Sequence, residues 1–395
     1  LNALDWINDE LEHLTDAHRR RARVECRLLD AVTIEVEGRR YLNFASNDYL
    51  NLASDQRLTA AAREALESAG CGSAASPLIT GRRSAHRELE ELLAAFEDTE
   101  AALLFPTGYA ANVGAITSLV GAGDVVFSDA KNHASIIDGC RLSRADVRIY
   151  RHADTEHLAG LLANVAPLAR RLLIVTDGLF SMDGDIAPLG ELAALAEEYG
   201  AMLMVDEAHA TGVFGEHGRG AGEALGIERI DVRVGTLSKA LGSVGGFVAG
   251  SRVLIELLVN RARSYIFSTS PPAAVCAAGC AALQIVQEEP WRRRELLSRS
   301  ARLRDTLTAQ GWNIGPSTSQ IVPLVIGEER MALDLAAELR LAGFWVPAIR
   351  PPSVAPGESR LRLALSYAHS DEMIAELVAV LHGFVADVAD RAAKL

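Results

Sequence analysis

Lysine is nearly absent from this chain. Of its 39 basic residues only Lys131, Lys239 and Lys394 are lysines, the others being arginine. Cysteine is sparse: Cys26, Cys71, Cys140, Cys276 and Cys280 form an odd set at wide spacing with no C-x-x-C pair. That pattern argues against a disulfide framework and against a zinc site, and it fits a reducing cytoplasm. Long apolar runs are missing as well. The longest nearly continuous one, Ala273–Val286, is too short to span a bilayer and predicts a buried helix. The first residues, "LNALDWINDELEHL", are acidic and amphipathic, unlike the basic and apolar start of a signal peptide. Positive charge is in deficit too. A net charge of −13 argues against binding nucleic acid or an anionic membrane through the general surface. The local exception, Arg19, Arg20, Arg21, Arg23 and Arg27, taken alone reads as a solvated helix face.

What is present is an ordinary globular composition, 49% hydrophobic and 23% charged over 395 residues, enough for a large core and two or three domains. Between about Gln56 and Val286, short apolar β-rich runs alternate with helical patterns. Strands are predicted at Ala101–Phe105, Asp124–Phe127, Leu172–Thr176, Met202–Asp206, Asp231–Thr236 and Gly245–Gly250. Segments such as Pro188–Gly200 carry helical apolar spacing and end in glycine. The alternation implies an α/β domain with a mostly parallel sheet covered on both faces. From about Glu288 a long Arg/Leu helix, an "IVPLVIG" run and "SRLRLALS" predict a smaller α+β domain. "TIEVEGRRYLNF" reads as a small hairpin packing with it. The expected division is an N-terminal segment 1–50, a large domain 51–287 and a small domain 288–395.

Reactive residues cluster just past the predicted strand ends, where open α/β sheets bind ligands. Gly108 follows "LLFPT", Ser181 follows "LLIVTDGLF", Asp206 and His209 follow "MLMV", and Thr236 and Lys239 follow "DVRVG". Lys239 stands among small residues in "TLSKALGSVGGF", where a flat cofactor can lie close. A lysine amine forms an imine when burial or nearby positive charge leaves part of it unprotonated. Pyridoxal 5′-phosphate (PLP) asks for such a lysine, a carboxylate at its ring nitrogen, a phosphate cradle and a group over its ring face. Asp206 can supply the carboxylate. The strand-to-helix turn at Gly108 and Tyr109 offers N–H groups and a helix dipole to phosphate, with the Thr236 hydroxyl beside it. His133 in "KNHAS" can lie over the ring, and His209 can bond its hydroxyl. Each feature alone is weak, since an aspartate at a strand end is commonly a helix cap. The weight lies in "VDEAHATG" followed by "TLSKALG", with "FPTGYAAN" upstream.

Those stretches, with "NFASNDYLNLAS", "GSAASPLITGRRSAHRELE", "DGLFSMDGDIAPL", "MVDEAHATGVFGEHGRG", "FSTSPPA" and "AIRPPSVAPGESRLRLALSYAHS", make the chain resemble the α-oxoamine synthases of the fold-type-I PLP-dependent transferases over almost its full length. The resemblance implies that Lys239 carries the cofactor and moves protons, that Asp206 pairs with the ring nitrogen and that His133 stacks on the ring. It assigns Ser181 and His209 to the ring hydroxyl side, and Gly108, Tyr109 and Thr236 to the phosphate. Thr269 in "FSTS" would serve the phosphate of a partner subunit in a homodimer with shared active sites. Arg362 would grip the amino-acid carboxylate, Asn47 and Ser353 would line the substrate pocket, and Arg19 would contact the acyl substrate, with Arg20 or Arg21 as alternatives. No metal is implied. The implied reaction is a decarboxylative condensation of an amino acid with an acyl thioester. The "IRPPSV" run and the arginine cluster point to L-alanine and a pimeloyl thioester on CoA or a carrier protein. Glycine acetyltransferase, 5-aminolevulinate synthase and serine palmitoyltransferase share the mechanism and stay open as alternatives. Two positions depart from the family pattern: Ala210 stands where relatives often have glycine, and Asn51 replaces the glycine of "NDYLGL".

Overall fold

The computed structural model describes residues 2–165 and 169–392; Lys394 lies outside the described residues. The chain forms two compact units. One comprises Leu1–Tyr49, Met182–Asp185 and Glu295–Leu395, the other Leu50–Ser181 and Ile186–Arg294.

The first unit opens with strands β1 (Arg27–Leu28), β2 (Thr33–Val36) and β3 (Arg39–Asn43). β2 and β3 form an antiparallel hairpin closed by the Val36–Arg39 pair. Its turn residues Glu37 and Gly38 both have positive φ, 51° and 76°, as a two-residue turn matched to strand twist requires.

The second unit contains the main sheet. Its strands are β4 (Ala101–Phe105), β5 (Val125–Asp129), β6 (Asp146–Tyr150), β7 (Leu172–Asp177), β8 (Met202–Asp206), β9 (Val232–Thr236) and β10 (Gly246–Gly250). They lie in the order β4-β10-β9-β8-β7-β5-β6. Pairings from β6 through β9 are parallel, and β10 runs antiparallel to both its neighbours. β5, β7 and β10 are buried along their whole length, as a sheet covered on both faces demands. Phe105, Ile116, Val126, Leu173 and Met204 share one core cluster beneath the helix Gly108–Leu119. The chain runs from β5 out to β6 and returns to β7 on the other side of β5. This reversal marks the place where such sheets bind ligands.

The first unit is completed by β11 (Ile321–Gly327), β12 (Phe344–Trp345), β13 (Ala348–Ile349) and β14 (Ser359–Ala364). β12 joins β3 in parallel, while β11, β14 and β13 form an antiparallel sheet. Met182–Asp185 is held in this unit by a buried Arg360–Asp183 ion pair at 2.7 Å and by the Thr318 N–H donating to the Gly184 carbonyl at 3.0 Å. His369 stacks on Phe44 with ring centroids 4.1 Å apart, and its burial pushes its pKa down to about 4, so it packs as a neutral ring. No helix among the described residues is long and apolar enough to cross a membrane.

A buried acid in the second unit sets a pH dependence. Glu97 ends the helix Ser84–Glu97 and is 2% exposed; neither of its carboxyl oxygens has a hydrogen-bond partner among the described residues. Burial first, and the Glu207 charge second, push its pKa up to about 8. In the unfolded chain it ionises near its ordinary value, so between about pH 4.5 and 8 the folded state holds the extra proton and stability falls as pH rises. Glu97→Gln is therefore expected to stabilise the fold more at pH 8.5 than at pH 5, by a difference on the order of 3 kcal/mol that appears as a larger gain in thermal midpoint. Thermal denaturation at both pH values checks this, and an equal gain at both would contradict it.

Candidate active site

Lys239 sits in the connection between β9 and β10. Its loop is closed on itself: the Thr236 hydroxyl donates to the Gly245 carbonyl at 2.7 Å, and Leu237 N–H donates to the same carbonyl at 3.0 Å. Ser238 adds a bond to that carbonyl at 3.2 Å and accepts from Gly245 N–H at 3.1 Å. Two glycines make the loop possible. Gly242 has φ +61°, and a Cβ there would meet the Leu52–Ala53 backbone at 2.5 Å; a Cβ on Gly246 would meet Thr107 and Gly108 at 2.5 Å. The small residues around Lys239 thus serve close backbone packing. Lys239 itself is half-buried.

Asp206 ends β8 beside Asp177, its register partner at the end of β7. Asp206 accepts from the Asn112 side-chain amide at 2.6 Å and from Ala208 N–H at 2.9 Å. Asp177 accepts from the His133 backbone N–H at 2.9 Å, and its own N–H donates to Asn132 Oδ1 at 2.8 Å. Burial first, and the Asp206 charge second, hold the Asp177 carboxyl well above the usual carboxylate range. His133 caps the helix Ala134–Ser143, its Nδ1 accepting from Ser135 N–H at 3.2 Å. Burial lowers its pKa; Asp206 opposes that shift and the Lys239 charge adds to it, so the ring is neutral at physiological pH.

A cavity of about 200 Å³ collects these groups. It is lined by Gly108, Tyr109, Asn112, His133, Ser135, Asp177, Ser181, Asp206, Ala208, His209, Thr236, Ser238 and Lys239. One side is the start of the helix Gly108–Leu119, whose first N–H groups have no helix carbonyl to receive them. Thr107 caps it by accepting from Ala110 N–H at 3.0 Å, and the Thr236 side chain lies 3.6 Å from where a Gly108 Cβ would stand. The Tyr109 hydroxyl donates to Asp138. A helix start for a phosphate, an amine, a buried carboxylate and a neutral imidazole in one cavity of this size fit PLP.

Eight of the nine residues that the sequence assigns to the cofactor line this cavity, and Thr269 does not. Thr269 is exposed. The four assigned to substrate belong to the first unit. There Arg362, buried on β14, donates to Asn47 Oδ1 at 3.2 Å and to the Tyr49 hydroxyl at 3.3 Å. Ser353 is exposed in a turn in which its N–H donates to Arg350 O at 3.1 Å. Arg19 pairs with Glu329 at 3.0 Å, while Arg21 donates to the Pro351 carbonyl at 3.3 Å. The two departures from the family pattern are accommodated. Asn51 takes φ 54°, a conformation that asparagine tolerates better than most residues, and Ala210 is fully buried.

Sequence reasoning missed Asn112, Ser135 and Asp177. Asn112 lies one helical turn past Gly108, so "TGYAAN" carried a signal for it. Asp177 needed the β7–β8 register, which no local pattern displays.

Over residues 39–381 the chain matches the family described as aminotransferase class I and II. It is 52% identical over 384 residues to the 8-amino-7-oxononanoate synthase of Anaeromyxobacter dehalogenans (strain 2CP-1), covering 96% of each chain. To the synthase of the same name from Geobacter sulfurreducens it is 50% identical over 351 residues, covering 88% of this chain and 90% of the relative. Among solved structures it superposes on a lysine-to-alanine variant of the serine palmitoyltransferase of S. paucimobilis, solved with bound PLP–myriocin. The TM-score is 0.93 at 33% identity, covering 98% of this chain and 100% of that one.

Proposed function

The chain belongs to the aminotransferase class I and II family and, within it, to the α-oxoamine synthases, and from that premise we propose that it joins L-alanine to a pimeloyl thioester. The products are 8-amino-7-oxononanoate, CO2 and a free thiol, in biotin synthesis. It is a PLP-dependent acyltransferase of the fold-type-I class. The observation that carries the substrate reading is the 52% identity, over 96% of the chain, to a synthase of that name.

Bound PLP supplies an electron sink for negative charge developing at the amino-acid Cα. The residues of the chain do the rest. In the cavity, Asp206 would balance the protonated ring nitrogen and His133 would lie against the ring face. Ser181 and His209 would take the ring-hydroxyl side. Gly108, Tyr109 and Thr236 would hold the phosphate at the helix start. Lys239 would anchor the cofactor, take the proton from alanine Cα and later return one there. Between those proton transfers, Cα bonds to the thioester carbonyl carbon, the thiolate leaves, and the bond from Cα to the carboxylate breaks to release CO2. To Arg362 we assign the amino-acid carboxylate, which a guanidinium fork fits in two hydrogen bonds. Asn47 and Ser353 line the substrate pocket. Arg19 is the arginine first expected to meet the acyl chain, but its charge is already balanced by Glu329. Arg21 stands near Arg350, whose pKa is lowered by burial first and by the Arg21 charge second and is raised by Glu329; the Arg21 guanidinium donates to the Pro351 carbonyl, and we favour it for the distal carboxylate. The exposure of Thr269, away from the cavity of its own chain, supports a homodimer in which it serves the partner's phosphate.

Mass analysis of the product from L-alanine and pimeloyl-CoA tests this function. One methyl separates alanine from glycine and is worth roughly 10–200-fold. About five buried methylenes of the acyl chain contribute a gross ~4 kcal/mol, about half of it offset by chain ordering. The value of kcat/KM for alanine with pimeloyl-CoA is therefore expected to exceed that for glycine with acetyl-CoA by at least roughly 100-fold. A preference for glycine and acetyl-CoA would overturn the substrate assignment.

A further inference from the structure

Two side chains to which the proposed reaction gives no role connect two that face the cofactor. Asn112 is 1% exposed and uses both of its amide protons: one goes to Asp206 Oδ2 at 2.6 Å, the other to Ser135 Oγ at 2.9 Å. Ser135 is fully buried, and its Oγ lies 2.7 Å from His133 Nδ1. Since Ser135 Oγ accepts from the amide, its own proton is available to Nδ1. The Ser135 backbone N–H donates to the same nitrogen at 3.2 Å. With two donors directed at it, Nδ1 must present a lone pair, so the ring proton resides on Nε2. The amide has one workable orientation, because turning it over would set Asn112 Oδ1 against the Asp206 carboxylate. Oδ1 has no hydrogen-bond partner among the described residues. A buried acceptor without a partner is costly, and a purely space-filling role would be met better by an apolar side chain.

We propose that Asn112 is a positioning residue that holds the Asp206 carboxylate oriented and, through Ser135, fixes His133 as its Nε2–H tautomer. The carboxylate at the ring nitrogen and the imidazole on the ring face are thereby set by one side chain. This rests on the reading that PLP lies between Asp206 and His133. Asp177, His209 and Lys239 are the other ionisable groups around the cavity, with Tyr109 at its rim, and all of them are retained in the variants below.

The test uses the holoenzyme, with cofactor affinity followed by the visible absorbance of bound PLP. Asn112→Asp keeps the shape of the side chain but places a second carboxyl against Asp206. It is expected to weaken PLP binding roughly 10- to 100-fold at pH 8, with recovery as pH falls and the new carboxyl gains a proton to donate. Nitrogen-15 spectra of the imidazoles, assigned by loss of a signal in His133→Gln, are expected to show His133 as the Nε2–H form in the wild type and a mixture of tautomers in Ser135→Ala. Wild-type affinity and pH profile in Asn112→Asp would overturn the proposal, and so would an Nδ1–H signal for His133 in the wild type. Failure of the underlying reading would look different: wild-type protein incubated with PLP and then freed of unbound PLP by gel filtration would keep no visible band to follow.

Discussion

Asp206→Asn is expected to leave a folded protein whose turnover has dropped by at least about 100-fold. The carboxylate is 5% exposed and accepts from Asn112 at 2.6 Å and from Ala208 N–H at 2.9 Å, so the site is built around a negative charge. An amide cannot balance a protonated ring nitrogen. Removing one member of a buried charge pair costs about 3–5 kcal/mol, or roughly 10²- to 10⁴-fold in rate if the whole loss falls on the transition state. The apoprotein has a compensation. The Asp206 charge is one of the two main causes that raise Asp177, and the repulsion disappears with the substitution. The thermal midpoint is therefore expected to stay within about 5 °C of wild type. Steady-state turnover beside a melting curve checks both parts, and near-normal turnover would refute the role of Asp206.

Lys239→Ala is expected to cost more, at least about 10⁴-fold, because it removes two functions together. Proton transfer by a positioned side chain alone contributes roughly 10²- to 10⁴-fold. The same amine is the proposed anchor of the cofactor. The loop has reason to survive the change, since its closing bonds come from Thr236, Leu237, Ser238 and Gly245, and the Lys239 carbonyl still accepts from Gly242 N–H at 2.9 Å. The variant should still bind PLP through the Gly108 helix start and Asp206, but lose it on prolonged dialysis where wild type retains it. Turnover above ~1% of wild type would sink the assignment.

The sheet was legible where both faces of a strand are covered, because such strands read as short apolar runs. β5, β7 and β8 lie within two residues of their expected positions. β6 was missed for the converse reason. It is an edge strand, with Asp146 and Arg148 exposed and Ile149 64% exposed, and so it carries no apolar run. The reversal of β10 was readable in principle: the Leu237–Gly245 connection is shorter than the dozen or so residues that a parallel crossover needs. The return of Met182–Asp185 to the other unit was not, since it depends on a buried pair, Arg360 with Asp183, whose members lie far apart in sequence. At the site, Lys239, Asp206, His133 and Gly108 stand out because their chemistry requires particular residue types after strand ends. Asn112 and Ser135 act through hydrogen bonds to other side chains, and only the folded geometry brings those partners within reach.

The central claim, that the cavity around Lys239 is where PLP is held and used, is tested most directly by borohydride reduction of the purified protein followed by peptide mass mapping. With only three lysines in the chain the outcome is unambiguous. A single cofactor adduct on Lys239 is the expected result; an adduct on Lys131 or Lys394 in its place would contradict the account.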